Sequence, residues 1–299
     1  MLRITSNTLA ARLTADLGRL SSTQSRLTQQ MATGKRLIDA SDDVPATGRV
    51  MSYESEKRGL QQYERNAQRA KTDIAVSSTA LNSIKGIANK VFNLAPAAAA
   101  SGDPSQHTAM ATQINGLLEQ AFSLANTQVN GSYLFGAADT ATAPFSVARD
   151  GTGRITAVTY NGDAGAAPLV EVSEGAQVAT LNGGAQNQEL ESFLNNLVQL
   201  RDAVAANDKP NINAYQNTLG DDEGRIVTML STLSTSQFRI EVTRTQNETR
   251  FNQLSNLSSS ETDVDLAETI VKYQTSERSY QAALQAGSKI LQRSLLDYL

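Results

Sequence analysis

Residues 31–49, MATGKRLIDASDDVPATGR, gather the side chains in this chain that most invite a chemical reading: Gly34-Lys35, then Asp42 and Asp43, then Pro45. A Gly-Lys pair holds phosphate on backbone N–H groups and an ammonium, but only after a strand and a glycine-rich run, with Ser or Thr behind the lysine. Here Arg36 follows, and a helical pattern precedes. Adjacent aspartates hold Mg2+ when further oxygen ligands or a bound phosphate complete the shell, and the neighbouring residues supply neither. Helix punctuation accounts for the whole stretch: Gly34 as a left-handed C-terminal cap, and Asp42 or Asp43 as the next N-cap, with Pro45 in the first turn. It reads as a helix-loop-helix joint.

The other candidates are as quickly weighed. The chain has no Cys and one His, so thiol nucleophiles, disulfides, thiolate metal sites and histidine clusters are excluded. His107, one turn into PSQHTAM, reads as a solvated first-turn residue, because no partner set exists for a ligand role. A Ser-His-Asp set cannot be assembled around it, and no G-x-S-x-G occurs, which leaves a hydrolase the poorest reading. Gln24 and Glu277, at otherwise apolar helix positions, read as register-setting polar residues or as members of a wider exposed face, rather than as catalytic groups. Tyr63, Tyr273 and Tyr280 fill core space with a wet hydroxyl edge. No enzyme activity, cofactor or metal is expected.

The net charge of −4 gives no general attraction to nucleic acid or anionic membrane. Residues 137–189 hold six acids against two bases, which equals the whole imbalance. The start, MLRITSNTLAARLTADLGRL, carries polar residues throughout, so neither a cleaved signal nor a membrane span is expected there.

Prolines at 45, 96, 104, 144, 168 and 210 leave four windows for long helices: residues 1–44, 46–95, 105–143 and 211–299. Leu13, Leu17, Leu20, Gln24, Leu27 and Met31 follow a seven-residue seam in the first. Leu60, Tyr63, Ala67, Ala70, Ile74, Ser77, Leu81, Ile84, Ala88 and Val91 hold it without slipping in the second. APAAAASGDPS then reads as a break, with Asp103 as N-cap and Pro104 in the first turn of a third helix through Met110, Ile114, Leu117, Ala121 and Leu124. Between NGSYLFGAADTATAPF and LNGG the period becomes strand-like: RITAVTY and LVEV read as short strands, with Asn161-Gly162 and Glu174-Gly175 as hairpin turns. Helical spacing returns at Leu190, Phe193, Leu194, Leu197, Leu200 and Val204, and breaks at NDKPN. It resumes at Leu219, Ile226, Met229, Leu233, Ile240, Leu254 and Leu257, with Ser236, Thr243 and Asn247 as polar members, and ends on Ile270, Tyr273, Glu277, Tyr280, Leu284, Gly287 and Leu291.

A helix over residues 50–92 would run about 65 Å at ~1.5 Å per residue, longer than the ~50 Å diameter of a compact chain of this size. The expected fold is therefore mainly α: an elongated coiled-coil or bundle rod built from both chain halves, with a small β-rich insertion. The expected partition is residues 1–44 and 256–299 as a terminal coiled coil, 45–136 and 189–255 as a helical rod, and 137–188 as the insertion.

At this level of detail a family emerges. TGKRLIDASDDVPATGR resembles the SGKRIN…SDDPAG signature of the flagellin superfamily, and MLRITSNTLAARL resembles the opening of its hook-associated protein 3 branch. NGSYLFGAADTATAPF and YQTSERSYQAALQAGSKILQRSLLDYL are similar to further segments of that branch, although Ala137 stands where a second Gly is usual. The resemblance covers about the first 145 and last 110 residues.

It implies a structural axial component of the bacterial flagellum, exported without a cleaved signal by the flagellar type III apparatus to an extracellular position. Its partners would be further copies of itself, hook-associated protein 1, flagellin and an export chaperone, in a ring joining hook to filament. By the same resemblance, Leu9, Leu13, Leu17, Leu20, Ile290, Leu291, Leu295 and Leu296 make the inner-tube assembly contacts. The alternatives are a minor filament flagellin and a soluble helical binding module such as an export chaperone or adaptor.

Overall fold

The computed structural model describes the backbone of residues 6–296 and the side-chain surroundings of residues 11–289. In chain order the elements are α1 (Ser6–Thr33), α2 (Val44–Ala100), α3 (Pro104–Ala125), β1 (Gln128–Val129), β2 (Ser132–Tyr133), β3 (Phe145–Arg149), β4 (Ile155–Tyr160), β5 (Leu169–Ser173), β6 (Ala176–Ala179), α4 (Gly184–Ala205), α5 (Lys209–Thr262) and α6 (Leu266–Leu296). The fold is mainly α with a small β region. The chain divides into a terminal unit, residues 1–59 with 250–299, and a central unit, residues 60–249.

Helix α2 starts where expected, with Pro45 in its first turn. It does not stop before Pro96, however, but runs on to Ala100. Proline forfeits one backbone hydrogen bond there, and the alanine run behind it, with Ala95 and Ala98 buried, keeps the last turn helical. Asp103 caps α3 as read: its Oδ1 accepts from Ser105 N at 2.9 Å and Ser105 Oγ at 2.6 Å.

In the central unit α2 and α5 run antiparallel. Lys71 pairs with Glu241 at 3.1 Å, Arg244 with Glu64 at 2.6 Å and Lys85 with Glu223 at 3.8 Å, so rising numbers on one helix meet falling numbers on the other. Beneath these pairs the α2 seam is buried from Ala67 to Val91, together with Leu219, Ile226, Met229, Leu233 and Ile240 of α5. Helices α3 and α4 pack on each other through Ile114, Leu118, Leu190, Phe193 and Leu197.

The strands form three separate antiparallel hairpins. In β3–β4 the turn lies at residues 150–154, where Asp150 gathers Thr152 N and Arg154 N. Asn161-Gly162 is not a hairpin turn. It follows β4, and Asn161 N donates to Pro144 O at 2.7 Å, closing the open end of that hairpin. Glu174-Gly175 does turn β5 into β6, with Gly175 at φ +69°.

Asparagine amides tie the hairpins to the helices by imitating a neighbouring strand. Asn195 of α4 accepts from Val158 N at 3.0 Å and donates to Val158 O at 2.8 Å, while Asn126 does the same for Phe145 at 3.1 Å each way. Asn247, a polar seam position in the sequence, donates to Val172 O of β5 at 2.8 Å. Buried Arg201 holds Ile155 O at 2.6 Å and Asn115 Oδ1 at 2.9 Å. These contacts satisfy strand edges that would otherwise recruit other chains.

Candidate assembly surface

The signature stretch is a joint, and its partner is a second joint far along the chain, with Lys35 and Asp263 separated by 228 positions. Gly34 sits at φ +69° with its N–H on Gln30 O at 2.8 Å, ending α1 in the left-handed cap. Asp43 is the N-cap of α2, accepting from Ala46 N at 3.0 Å. Asp42 instead braces the loop, its Oδ2 accepting from Ile38 N and Asp39 N at 3.0 Å each. Those backbone donors hold the Asp42 carboxyl below the usual range, and the Ala46 N–H with the Arg36 guanidinium does the same for Asp43.

The second joint, residues 263–265, separates α5 from α6, with Asp265 as N-cap accepting from Ala267 N at 2.9 Å. The two joints exchange backbone hydrogen bonds, Arg36 N to Thr262 O at 2.7 Å and Val264 N to Gly34 O at 3.0 Å. Side chains reinforce the bridge. Lys35 Nζ reaches Asp263 at 2.5 Å, so the lysine of the Gly-Lys pair is held by a carboxylate. Arg36 donates to Glu261 O at 2.8 Å and Asp43 Oδ2 at 3.1 Å, and Arg49 grips the Glu261 carboxylate with two bonds, at 2.8 and 2.9 Å. Sequence reading saw the first joint and missed the second; the available signal was the Asp-rich break ETDVD.

Beyond the joints, α1 packs against α6. Leu13, Leu17, Leu20, Gln24 and Met31 are half-buried and Leu27 is buried, as the seam requires. Leu13 fits over Gly287, where a Cβ would lie 2.4 Å from Leu13 Cδ2, so only glycine admits the leucine in this position. The α6 seam differs from expectation. Its inward residues are Thr269, Tyr273, Ser276, Tyr280, Ala283 and Gly287, whereas Ile270, Glu277 and Leu284 face outward. Between the half-buried rings of Tyr273 and Tyr280, the small residues Thr269, Ser276, Ala283 and Gly287 leave room for the large residues of α1. Leu257 of α5 is likewise exposed rather than in the seam.

Of the proposed assembly residues, Leu13, Leu17 and Leu20 lie on this half-buried α1 face. The side chains of Leu9, Ile290, Leu291, Leu295 and Leu296 lie outside the described residues. His107 is not solvated as expected: it is buried, and neither ring nitrogen has a hydrogen-bond partner, because α3 turns its first-turn face inward. Among the described residues no group of three or more His, Asp or Glu is placed to hold a metal, and no helix is long and apolar enough to cross a membrane.

Residues 4–140 match the family described as the bacterial flagellin N-terminal helical region. This part of the chain is similar in sequence to the N-terminal helical region of bacterial flagellins. Two curated relatives of this chain are flagellar hook-associated protein 3 of Escherichia coli (strain K12), 31% identical over 120 residues, and that of Salmonella typhimurium (strain LT2), 28% identical over 187 residues. The matches take in 40% and 60% of this chain and 38% and 59% of those relatives, so the chain spans less than two thirds of either. A solved flagellar hook-associated protein from Vibrio parahaemolyticus shares the fold, with a TM-score of 0.65 at 18% identity over 74% of this chain and all of that one. Ala137, which replaces the usual Gly, adopts the left-handed conformation at φ +55° that glycine would favour.

Proposed function

We propose that this protein is a structural axial component of the bacterial flagellum that forms the ring between the hook and the flagellin filament. Its terminal helices, rather than any reaction centre, carry the function. The observation that supports this reading is the outward stripe of α6: Leu266, Ile270 and Leu284 are 49%, 45% and 46% exposed beside an inward face made of small and polar residues. A helix that seals its partner with Thr269, Ser276 and Gly287 while presenting aliphatic side chains to water has its larger apolar face ready for another molecule. By the family resemblance, Leu9, Leu13, Leu17 and Leu20 of one terminal segment and Ile290, Leu291, Leu295 and Leu296 of the other make the inner-tube contacts.

Hook-associated protein 1 on one side and flagellin on the other are the partners this role requires. Export by the flagellar type III route, with a chaperone masking the terminal helices, would bring the chain to an extracellular position. The test is co-sedimentation of the full chain with hook-associated protein 1 and with flagellin, for the parent and for Ile270→Lys and Leu284→Lys. Both variants should unfold at the parent's temperature yet fail to join either partner. Joining at parental levels by both variants would refute the reading.

A further inference from the structure

The central unit carries a second exposed stripe that the terminal helices do not explain. On α5, Thr228, Ser231, Thr235, Phe238, Val242 and Thr245 repeat at steps of three and four, and all are exposed, Phe238 to 70%. No charged residue occurs between Arg225 and Arg239. The hydroxyls on this stripe are already used: Thr228 donates to Gly224 O, Ser231 to Val227 O, Thr235 to Ser231 O and Thr245 to Glu241 O, at 2.9–3.1 Å. A face whose donors are bonded internally and whose outermost groups are methyls and a phenyl ring costs little to dehydrate, and it follows the seven-residue period by which one helix seats another.

A matching face lies on α2. Thr72, Ala75, Thr79, Asn82 and Gly86 repeat at the same steps; all are uncharged, and all but half-buried Gly86 are exposed. Thr72 and Thr79 also return their hydroxyls to the carbonyls four residues back. A side chain added at Gly86 would meet nothing within 4 Å, so the stripe offers an open notch. One stripe is bulky and the other small; neither carries a charge.

We infer that the α5 stripe of one copy packs on the α2 stripe of the next, a heterologous contact. Two different faces that fit each other head to tail generate a ring where the rotation closes and an open helix where it does not, whereas a face that fits itself stops at a dimer. The inference rests on the ring reading above and adds its lateral contact. The ion pairs fix how α2 and α5 line up within one copy. Lys71 stands opposite Glu241 and Lys85 opposite Glu223, which places Thr79 level with Ser231 in the same molecule. In a flat ring whose axis follows the helices, Thr79 of one copy is level with Ser231 of its neighbour, and Phe238 comes over Thr72 and Ala75.

The absence of cysteine makes the test clean. Full-length Thr79→Cys and Ser231→Cys proteins, tagged to differ in mass, are mixed and oxidised over a concentration series. Mixed 79–231 dimers should dominate, and Phe238→Lys, added to the Ser231→Cys protein, should lower their yield at least tenfold without changing the circular dichroism spectrum. Dominant 231–231 or 79–79 products, or no cross-linking at any concentration, overturn the inference. Cross-linking at 79–231 by a chain that joins neither flagellar partner would uphold the contact and overturn the junction reading. Joining without this cross-link would do the reverse.

Discussion

Between residues 60 and 249 the helices and hairpins close over Phe135, Phe145 and Phe193, each fully buried, as are Ile74, Leu81 and Leu194. The terminal unit closes over Leu27, Ala46 and Leu254, and fills the rest of its inward face with Ser258, Thr269, Ser276 and Gly287. The central unit thus buries large side chains on its own account, while the terminal unit leaves Leu266, Ile270, Val271 and Leu284 in water. Since stabilisation follows apolar area removed from solvent, the first is built to stand alone and the second to be completed by a neighbour. Its fixed point is the pair of joints, where polar bonds replace the missing core.

The sharpest way to separate the two units is to damage the core of one. Phe193→Ala should cost about 3–5 kcal/mol and shift the main denaturant transition of the full chain, read by circular dichroism. Hydrogen exchange in the α1–α6 pair should change little. A parallel loss of protection in both units would show that they fold as one.

Breaking the joint should do the opposite at smaller cost. Arg36→Ala removes the bonds to Glu261 O and Asp43, about 1–2 kcal/mol for charge-assisted bonds that are partly exposed. Protease cleavage within residues 34–49 should rise several-fold while the main transition stays in place. Unchanged cleavage would mean that the backbone bridge at Gly34 and Thr262 suffices.

Acid should distinguish the units by sign. Asp42, Asp43, Glu261 and Asp263 at the joints are all held below their usual range, the first two chiefly by backbone N–H donors, Glu261 by Arg49 and Asp263 by Lys35. Their stabilising contribution is present above the ordinary carboxylate range and is lost as pH falls through the lowered values. Asp222 in the central unit is the reverse case: burial pushes its carboxyl up, against the Asn196 amide at 2.7 Å and Arg225 at 3.3 Å. Its contribution is fully present below the ordinary value and is lost as pH rises through the raised one. Asp222→Asn should therefore raise the melting temperature at pH 7 by about 2 °C, with the gain vanishing toward pH 3. A variant that melts lower at both pH values would show that the ionised pair is a net stabiliser.

The smallest effect expected is in the terminal helices themselves. In the isolated monomer, amides in α1 and α6 should exchange faster than those of α2 in the central unit, because their apolar faces await a neighbour. Gly287→Ala should quicken α1 and α6 further by displacing Leu13, at a cost of about 1 kcal/mol. Slow, cooperative protection at Leu13 in the parent would remove the distinction between the two units.

Much of this was written in the residue order. The α2 seam from Ala67 to Val91, the caps at Gly34 and Asp103, the strands RITAVTY and LVEV and the turn at Glu174-Gly175 follow from periodicity and backbone preference, which act within a few residues. The signature stretch carried the flagellin resemblance for the same reason, and residues 4–140 match the flagellin N-terminal helical region. What needed the tertiary structure involves residues far apart in the chain. Pro96 stays helical because buried alanines hold the turn behind it, and His107 is buried because α3 turns that face inward. Asn161 closes a hairpin that a local rule would have had it turn. Neither the pairing of the two joints nor the choice of the inward face of α6 can be read from spacing, since Arg36 finds Glu261 and Leu13 finds Gly287 only after the chain ends have come together. Periodicity says that a helix has an apolar side; packing decides which side a partner has already taken.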